Sequence, residues 1–201
     1  MKDGVRALGV AESYRGECGD SYLAGAVVRA DSVVEGFRFT TITVGGTDST
    51  EKLVELYDSF GREDVRFALV SGIAPAWYNI VDIGAVHDAT GVPVASVTYE
   101  EGDENGLRSS LEEGFEGSAR EERLALYDAL PPRRLVTADG GRELYVRSVG
   151  LTDDTADEWV RGFMLSGEGS RRPEPVHVAR LAARGLLAYE EGMTDGDEEP
   201  L

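Results

Sequence analysis

Acidic side chains, one histidine, and a set of arginines and aromatics carry the chemistry open to this chain. Glu12 closes the first strand-like run, Asp48 follows the glycine pair Gly45-Gly46, and Asp82 and His87 share one apolar helical stretch. Carboxylates can hold hard divalent cations, and histidine exchanges protons near neutrality. Arg15, Arg133, Arg134, Arg171 and Arg172 suit phosphate oxygens, because the guanidinium fork matches their geometry. Tyr14, Trp77 and Tyr78 offer faces on which an exposed base could stack.

Each of these residues also has a purely structural reading. Asp48 and Glu51 have the spacing of a capping box, which explains Asp48 without a ligand. Asp82 falls one turn into a helix read from Asn79, where a carboxylate complements the positive helix end. His87 shares the Ile80-Ile83 stripe, a core or boundary position. In so acidic a chain the arginines can pair with surface carboxylates, and Trp77 and Tyr78 can cover a sheet edge.

The elements that must position these groups follow from hydrophobic periodicity. Strand-like runs at Val5–Val10, Tyr22–Ala30 and Val33–Val44 precede an amphipathic helix over Asp48–Phe60; then come a strand at Val65–Val70, a helix at Asn79–Ala89 and a strand at Val92–Val97. Closely joined runs pair antiparallel, whereas strands alternating with helices are parallel-sheet material. A mixed α/β sheet results, in the order of a ribonuclease H-like domain. Glu100–Gly117 reads as an acidic loop with a short helix around Leu107–Glu112. Ser118 and Glu121 form a capping box for a helix to Leu130, and Ala138-Asp139-Gly140-Gly141 marks a hairpin. Thr152 caps a helix through Phe163, a further helix spans Glu174–Tyr189, and residues 190–201 form an acidic tail to a single domain over residues 1–189.

Composition narrows the class. The 201 residues, 41% hydrophobic, suit one domain with a sizeable core. The single cysteine, Cys18, allows no intrachain disulfide and has no partner at metal-ligand spacing. No apolar run approaches the roughly 20 residues that span a bilayer, and Met1–Gly9 lacks a signal-peptide core, so a cytosolic protein with no membrane partner is expected. The 38 acidic and 20 basic residues give a net charge of -18, and Lys2 and Lys52 are the only lysines. The acids are spread over the chain, as on a surface adapted to molar salt, where the screening length is about 3 Å and nucleic acid is not repelled at long range. No phosphate loop, dinucleotide fingerprint or nucleophile elbow is present.

Four segments carry a family resemblance: Arg6-Ala-Leu-Gly-Val-Ala-Glu-Ser13, Ile42-Thr-Val-Gly-Gly-Thr-Asp-Ser-Thr50, Val70 through Ile83, and Arg172-Pro-Glu-Pro-Val-His-Val-Ala-Arg-Leu181. Together they resemble the archaeal endonuclease dU family over nearly the whole chain. The resemblance implies a fold similar to endonuclease V, cutting of DNA at deoxyuridine, and, with this composition, a salt-loving source.

In that fold two divalent ions, Mg2+ or Mn2+, are held by carboxylates at strand ends. Glu12, Asp48 and Asp82 are the residues that could supply them here, with His87 available for proton transfer. Tyr14, Arg15, Trp77, Tyr78, Arg171 and Arg172 are the expected contacts to damaged DNA. The chain departs from the pattern at three places. Ala11-Glu12 stands where the family often has Asp-Asp, Val44-Gly45-Gly46 where relatives read Val-Asp-Gly, and Val70-Ser71-Gly72 where endonuclease V reads Val-Asp-Gly. These departures keep open a second reading, a non-catalytic nucleic-acid or protein-binding module on a nuclease fold.

Overall fold

The computed structural model describes residues 4–13, 16, 19–99, 104–165 and 171–194. Seven strands form one sheet: β1 (Arg6–Ser13), β2 (Asp20–Arg29), β3 (Val34–Thr43), β4 (Val65–Ser71), β5 (Val94–Thr98), β6 (Arg134–Ala138) and β7 (Arg142–Val149), in the spatial order β3-β2-β1-β4-β5-β7-β6. β1 pairs antiparallel with β2 and parallel with β4, β4 is parallel to β5, and β7 returns antiparallel between β5 and β6. The expected mixed sheet and the hairpin at Asp139–Gly141 are both present.

The central strands are covered on both faces, which is why they read as apolar runs without clean alternation. On one face Leu8, Val10, Leu23 and Val27 pack with Leu53 and Leu56 of α1 (Ser49–Asp58) and Val86 of α3 (Ile83–Thr90). On the other, Ala7, Phe67, Leu69 and Val97 meet Val160 of α6 (Asp153–Gly162) and Val176 of α7 (Glu174–Thr194). Gly9 permits this second layer: a Cβ there would stand 2.0 Å from the Pro175 backbone. The remaining segments are α2 (Pro75–Tyr78), α4 (Glu104–Gly114) and α5 (Gly117–Ala129).

Several local expectations are corrected. β1 runs to Ser13, so Glu12 lies within the strand. The helix read from Asn79 begins at Ile83, because Asn79 is used in side-chain bonding and Asp82 caps the helix, accepting from Gly84 N at 2.9 Å and Ala85 N at 3.0 Å. Neither capping box forms: Asp48 makes no cap hydrogen bond, and α5 starts at Gly117, with no side-chain cap from Glu116. Thr152 does cap α6. α4 is longer than the short helix expected in the acidic loop, and α7 continues to Thr194, into the expected tail; residues 195–201 lie outside the described residues.

Candidate functional site

The C-terminal ends of β1 and β4 form one rim of the sheet, and Glu12 is the carboxylate on it. Alternation along β1 puts Glu12 on the face of Leu8 and Val10, in a narrow pocket with Leu23, Leu53, Ser71, Pro75 and Val81. Its Oε2 accepts from Ser21 Oγ at 2.8 Å and from Ala76 N at 2.9 Å. Burial pushes the Glu12 carboxyl up; the bonds from Ser21 and Ala76 and the charge of Arg180 oppose this, yet it stays above the usual glutamate value. A carboxyl in this state holds and releases protons closer to neutrality than a surface glutamate does.

The amide that reaches Glu12 belongs to α2, a single left-handed turn. Ala76, Trp77 and Tyr78 have φ of 45°, 58° and 60°, and Asn79 N closes the turn on Pro75 O at 3.0 Å. Left-handed backbone costs an L-residue about 1–2 kcal/mol, so three in succession persist only because their surroundings hold them. Glu12 holds the first residue. Beyond the last, Asn79 is fully buried and donates to Thr43 O at 2.9 Å and Asp48 Oδ1 at 2.6 Å, while its Oδ1 accepts from Ser49 N at 3.0 Å.

Asp48 is thus drawn away from helix capping by Asn79 and by Thr43, whose N and Oγ1 it also accepts from. Burial pushes the Asp48 carboxyl up, but the bonds from Asn79 and Thr43 outweigh it and hold the group below the usual aspartate value. Arg123 of α5, only 4% exposed, completes the cage. It donates to the carbonyls of Gly45, Gly46, Tyr78 and Ala119 and stacks on Phe115 at 4.1 Å.

The expected site residues therefore separate by role. Asp82 is the cap of α3. His87 Nδ1 lies 2.9 Å from Val92 O, which makes that nitrogen the donor, and its ring packs on Gly150, where a Cβ would clash at 2.6 Å. His87 is half-buried in this position. Trp77 is 45% exposed on the rim, whereas Tyr78 is half-buried against Phe115. Arg134 pairs with Asp153 and Asp157, Arg133 stacks on Tyr145, and Arg172 stacks on Tyr99. Arg171 is exposed; Tyr14 and Arg15 lie outside the described residues.

These donors do not fit a two-ion centre. Among the described residues no group of three or more His, Cys, Asp or Glu side chains could hold a metal ion. Asp48 is committed to Thr43 and Asn79, Asp82 to the start of α3, and the Gly45-Gly46 turn, where a further acid was expected, is bound instead by the Arg123 guanidinium.

Sequence reading missed Ser21, Asn79, Arg123 and Arg180. The first is set by the register of β1 on β2, Asn79 and Arg123 by contacts between distant segments, and Arg180 acts through its charge on Glu12. The one available signal was a polar Asn79 inside an apolar stretch.

Comparison with known proteins gives a consistent result. The family model described as Endonuclease dU matches residues 3–187. A UPF0215 protein of Pyrobaculum calidifontis is 34% identical over 182 residues, covering 90% of this chain and 97% of its own; one from Thermococcus kodakarensis is 32% identical over 168 residues, with 84% and 82% covered. Among solved structures, a protein of unknown function from Archaeoglobus fulgidus superposes with a TM-score of 0.77 at 27% identity, covering 90% of this chain and 98% of that one. Ciona intestinalis endonuclease V, in complex with a 24mer DNA containing an inosine followed by a ribo-adenosine, gives 0.60 at 12% identity, with 92% and 86% covered. The expected ribonuclease H-like fold, similar to endonuclease V, is the fold observed.

Proposed function

The chain belongs to the endonuclease dU family, and on that premise we propose that it is a nuclease that engages a nucleic-acid strand on the rim around Glu12 and cuts it at deoxyuridine. The observation that carries this reading is the Glu12 carboxyl itself. It is raised by burial and fixed at one oxygen by Ser21 and Ala76, and its Oε1 has no hydrogen bond among the described residues. In its charged form Glu12 takes the proton of an attacking water as the new P–O bond forms and the bond to the leaving sugar oxygen breaks. Such acid–base assistance is worth about 10²–10⁴-fold in rate.

Around this group the strained turn presents Trp77 to solvent, which supports a role in stacking on a base taken out of the helix. Mg2+ or Mn2+ is the ion expected for the fold, but among the described residues the carboxylates do not converge to hold a pair of ions. That same lack of convergence favours a second reading, a module that binds nucleic acid without cutting it. End-labelled oligonucleotides bearing deoxyuridine, deoxyinosine or neither, incubated with the protein in molar potassium chloride with magnesium, manganese or a chelator, separate the two. Cutting confined to the deoxyuridine strand supports the nuclease. Binding of all strands without cutting supports the module.

A further inference from the structure

A cavity of about 70 Å³ lies along the rim from Glu12, on the same face of the sheet. Its floor is the pairing of β5 with β7, where Ser96 stands opposite Arg147 and Thr98 opposite Tyr145; side chains so paired share one face. Leu107 of α4 and Tyr127 of α5 cover it, and Ile73 bounds it on the side of β4. All three pack with the layer of Leu8 and Val10, the face on which Glu12 lies. Ser71 lines the Glu12 pocket and Ile73 lines this cavity. Between them Gly72 N donates to Val97 O at 3.0 Å, so one short bend of chain separates the two pockets.

The lining suits an anion. Ser96 is 3% exposed, and neither its hydroxyl nor that of Thr98 makes a hydrogen bond among the described residues; a buried hydroxyl in that state is unfavourable unless a group in the cavity accepts from it. Arg147, 8% exposed, is held at the floor by donating to the Pro131 carbonyl and to Tyr127 Oη at 3.5 Å. Arg133 adds a second guanidinium, 3.9 Å from the centre of the Tyr145 ring. Among the described residues no carboxylate lines the cavity, in a chain that has 38 of them. Guanidinium groups and hydroxyls both donate to phosphate oxygens. Size separates a phosphate from a base: one water needs about 10–15 Å³ of such space, so the cavity holds about five to seven water-sized groups. A tetrahedral phosphate group fits that space, and a pyrimidine base exceeds it.

We propose that this cavity binds a phosphate group through the Ser96 and Thr98 hydroxyls and the Arg147 and Arg133 guanidinium groups. β5 lies two strands from β1 in the sheet, about 10 Å at the usual strand spacing, so a strand phosphate bound here is a neighbour of the phosphodiester that Glu12 faces. Held there, it fixes the strand's register on the rim without reading its sequence. Nucleic acid as the source of the phosphate rests on the nuclease reading; the anion site itself does not.

The test follows the backbone amide resonances of Ser96 and Thr98 in the full chain during separate titrations with inorganic phosphate, a single-stranded oligonucleotide and free uracil. Affinities for phosphate and oligonucleotide are then measured for wild type, Ser96→Ala, Thr98→Val, the double variant and Arg66→Gln, the last an exposed arginine at the far end of β4. The hydroxyl variants nearly keep the shape of the cavity, and thermal melts check their folding. Expected are shifts of both resonances with phosphate and with oligonucleotide but not with uracil, a rise in both Kd values of about tenfold or more in the double variant, and an unchanged phosphate Kd in Arg66→Gln. Phosphate binding here without oligonucleotide binding keeps the anion site and removes the nucleic-acid reading. A shift with uracil and none with phosphate, resonances that no probe moves, or equal phosphate affinity in wild type and the double variant overturns the proposal.

Discussion

Glu12 and Ala76, 64 residues apart, meet at 2.9 Å through the carboxylate Oε2 and the backbone amide. That bond ties the end of β1 to the first residue of a left-handed turn, so the candidate acid–base group and the strained backbone beside it are one unit. From this unit follow consequences for stability, pH dependence and catalysis.

Glu12→Gln is expected to stabilise the protein near neutrality. The folded-state carboxyl is raised above its unfolded value, because burial disfavours its charge. The folded state therefore binds more protons than the unfolded state across that window, and stability falls as pH rises through the folded value. Glutamine keeps an acceptor for Ser21 and Ala76 and does not titrate. The difference in Tm between Glu12→Gln and wild type, followed from acid to neutral pH, should grow with pH; a flat difference would count against a buried, raised Glu12.

Trp77 tests the left-handed turn. Glycine adopts φ near 58° without the Cβ clash, so Trp77→Gly should be more stable than Trp77→Ala by about 1 kcal/mol, the reverse of the order in an ordinary helix. Chemical denaturation of the two variants measures this. Both should lose stacking on a base, worth about 1–3 kcal/mol, and hence bind oligonucleotide more weakly than wild type.

The fold was far more legible than the site. β1, β4 and β5 carry apolar runs because both faces of the sheet are covered, and the antiparallel start of the sheet followed from the short connections between β1, β2 and β3. Glu12 stood out as an acid at the end of such a run. Asp48 misled, because Asp48-x-x-Glu51 has the pattern of a capping box while Thr43 and Asn79, drawn close by the glycine turn and the left-handed turn, compete for the same carboxylate. The turn itself was hidden: Ala76, Trp77 and Tyr78 are not residues that favour positive φ, and the bonds that hold them there come from Glu12, Arg123 and Gly45. Such long-range compensation leaves no local trace in a sequence.

Asn79→Ala should cost about 2–4 kcal/mol. It removes bonds to Thr43, Asp48 and Ser49 at a fully buried position and leaves the Ser49 amide without its partner. Urea denaturation gives the loss directly, and a cost below about 0.5 kcal/mol contradicts the arrangement.

Asp48→Ala should destabilise by about 1–3 kcal/mol at neutral pH through the lost bonds to Thr43 and Asn79. Here the folded value lies below the unfolded one, so the charged group's contribution is present above the unfolded value and fades as pH falls through the folded value. The gap between variant and wild type in thermal melts should narrow in acid, opposite in sign to the behaviour of Glu12.

The most direct measurement is the single-turnover rate of strand cleavage at one deoxyuridine, in molar potassium chloride, for wild type and Glu12→Gln shown by circular dichroism to be equally folded. A loss of about 10²-fold or more in Glu12→Gln, with oligonucleotide affinity retained, is the result expected if Glu12 is the catalytic acid–base group. Equal rates in the two proteins, or binding by both with no cleavage by either, contradicts it.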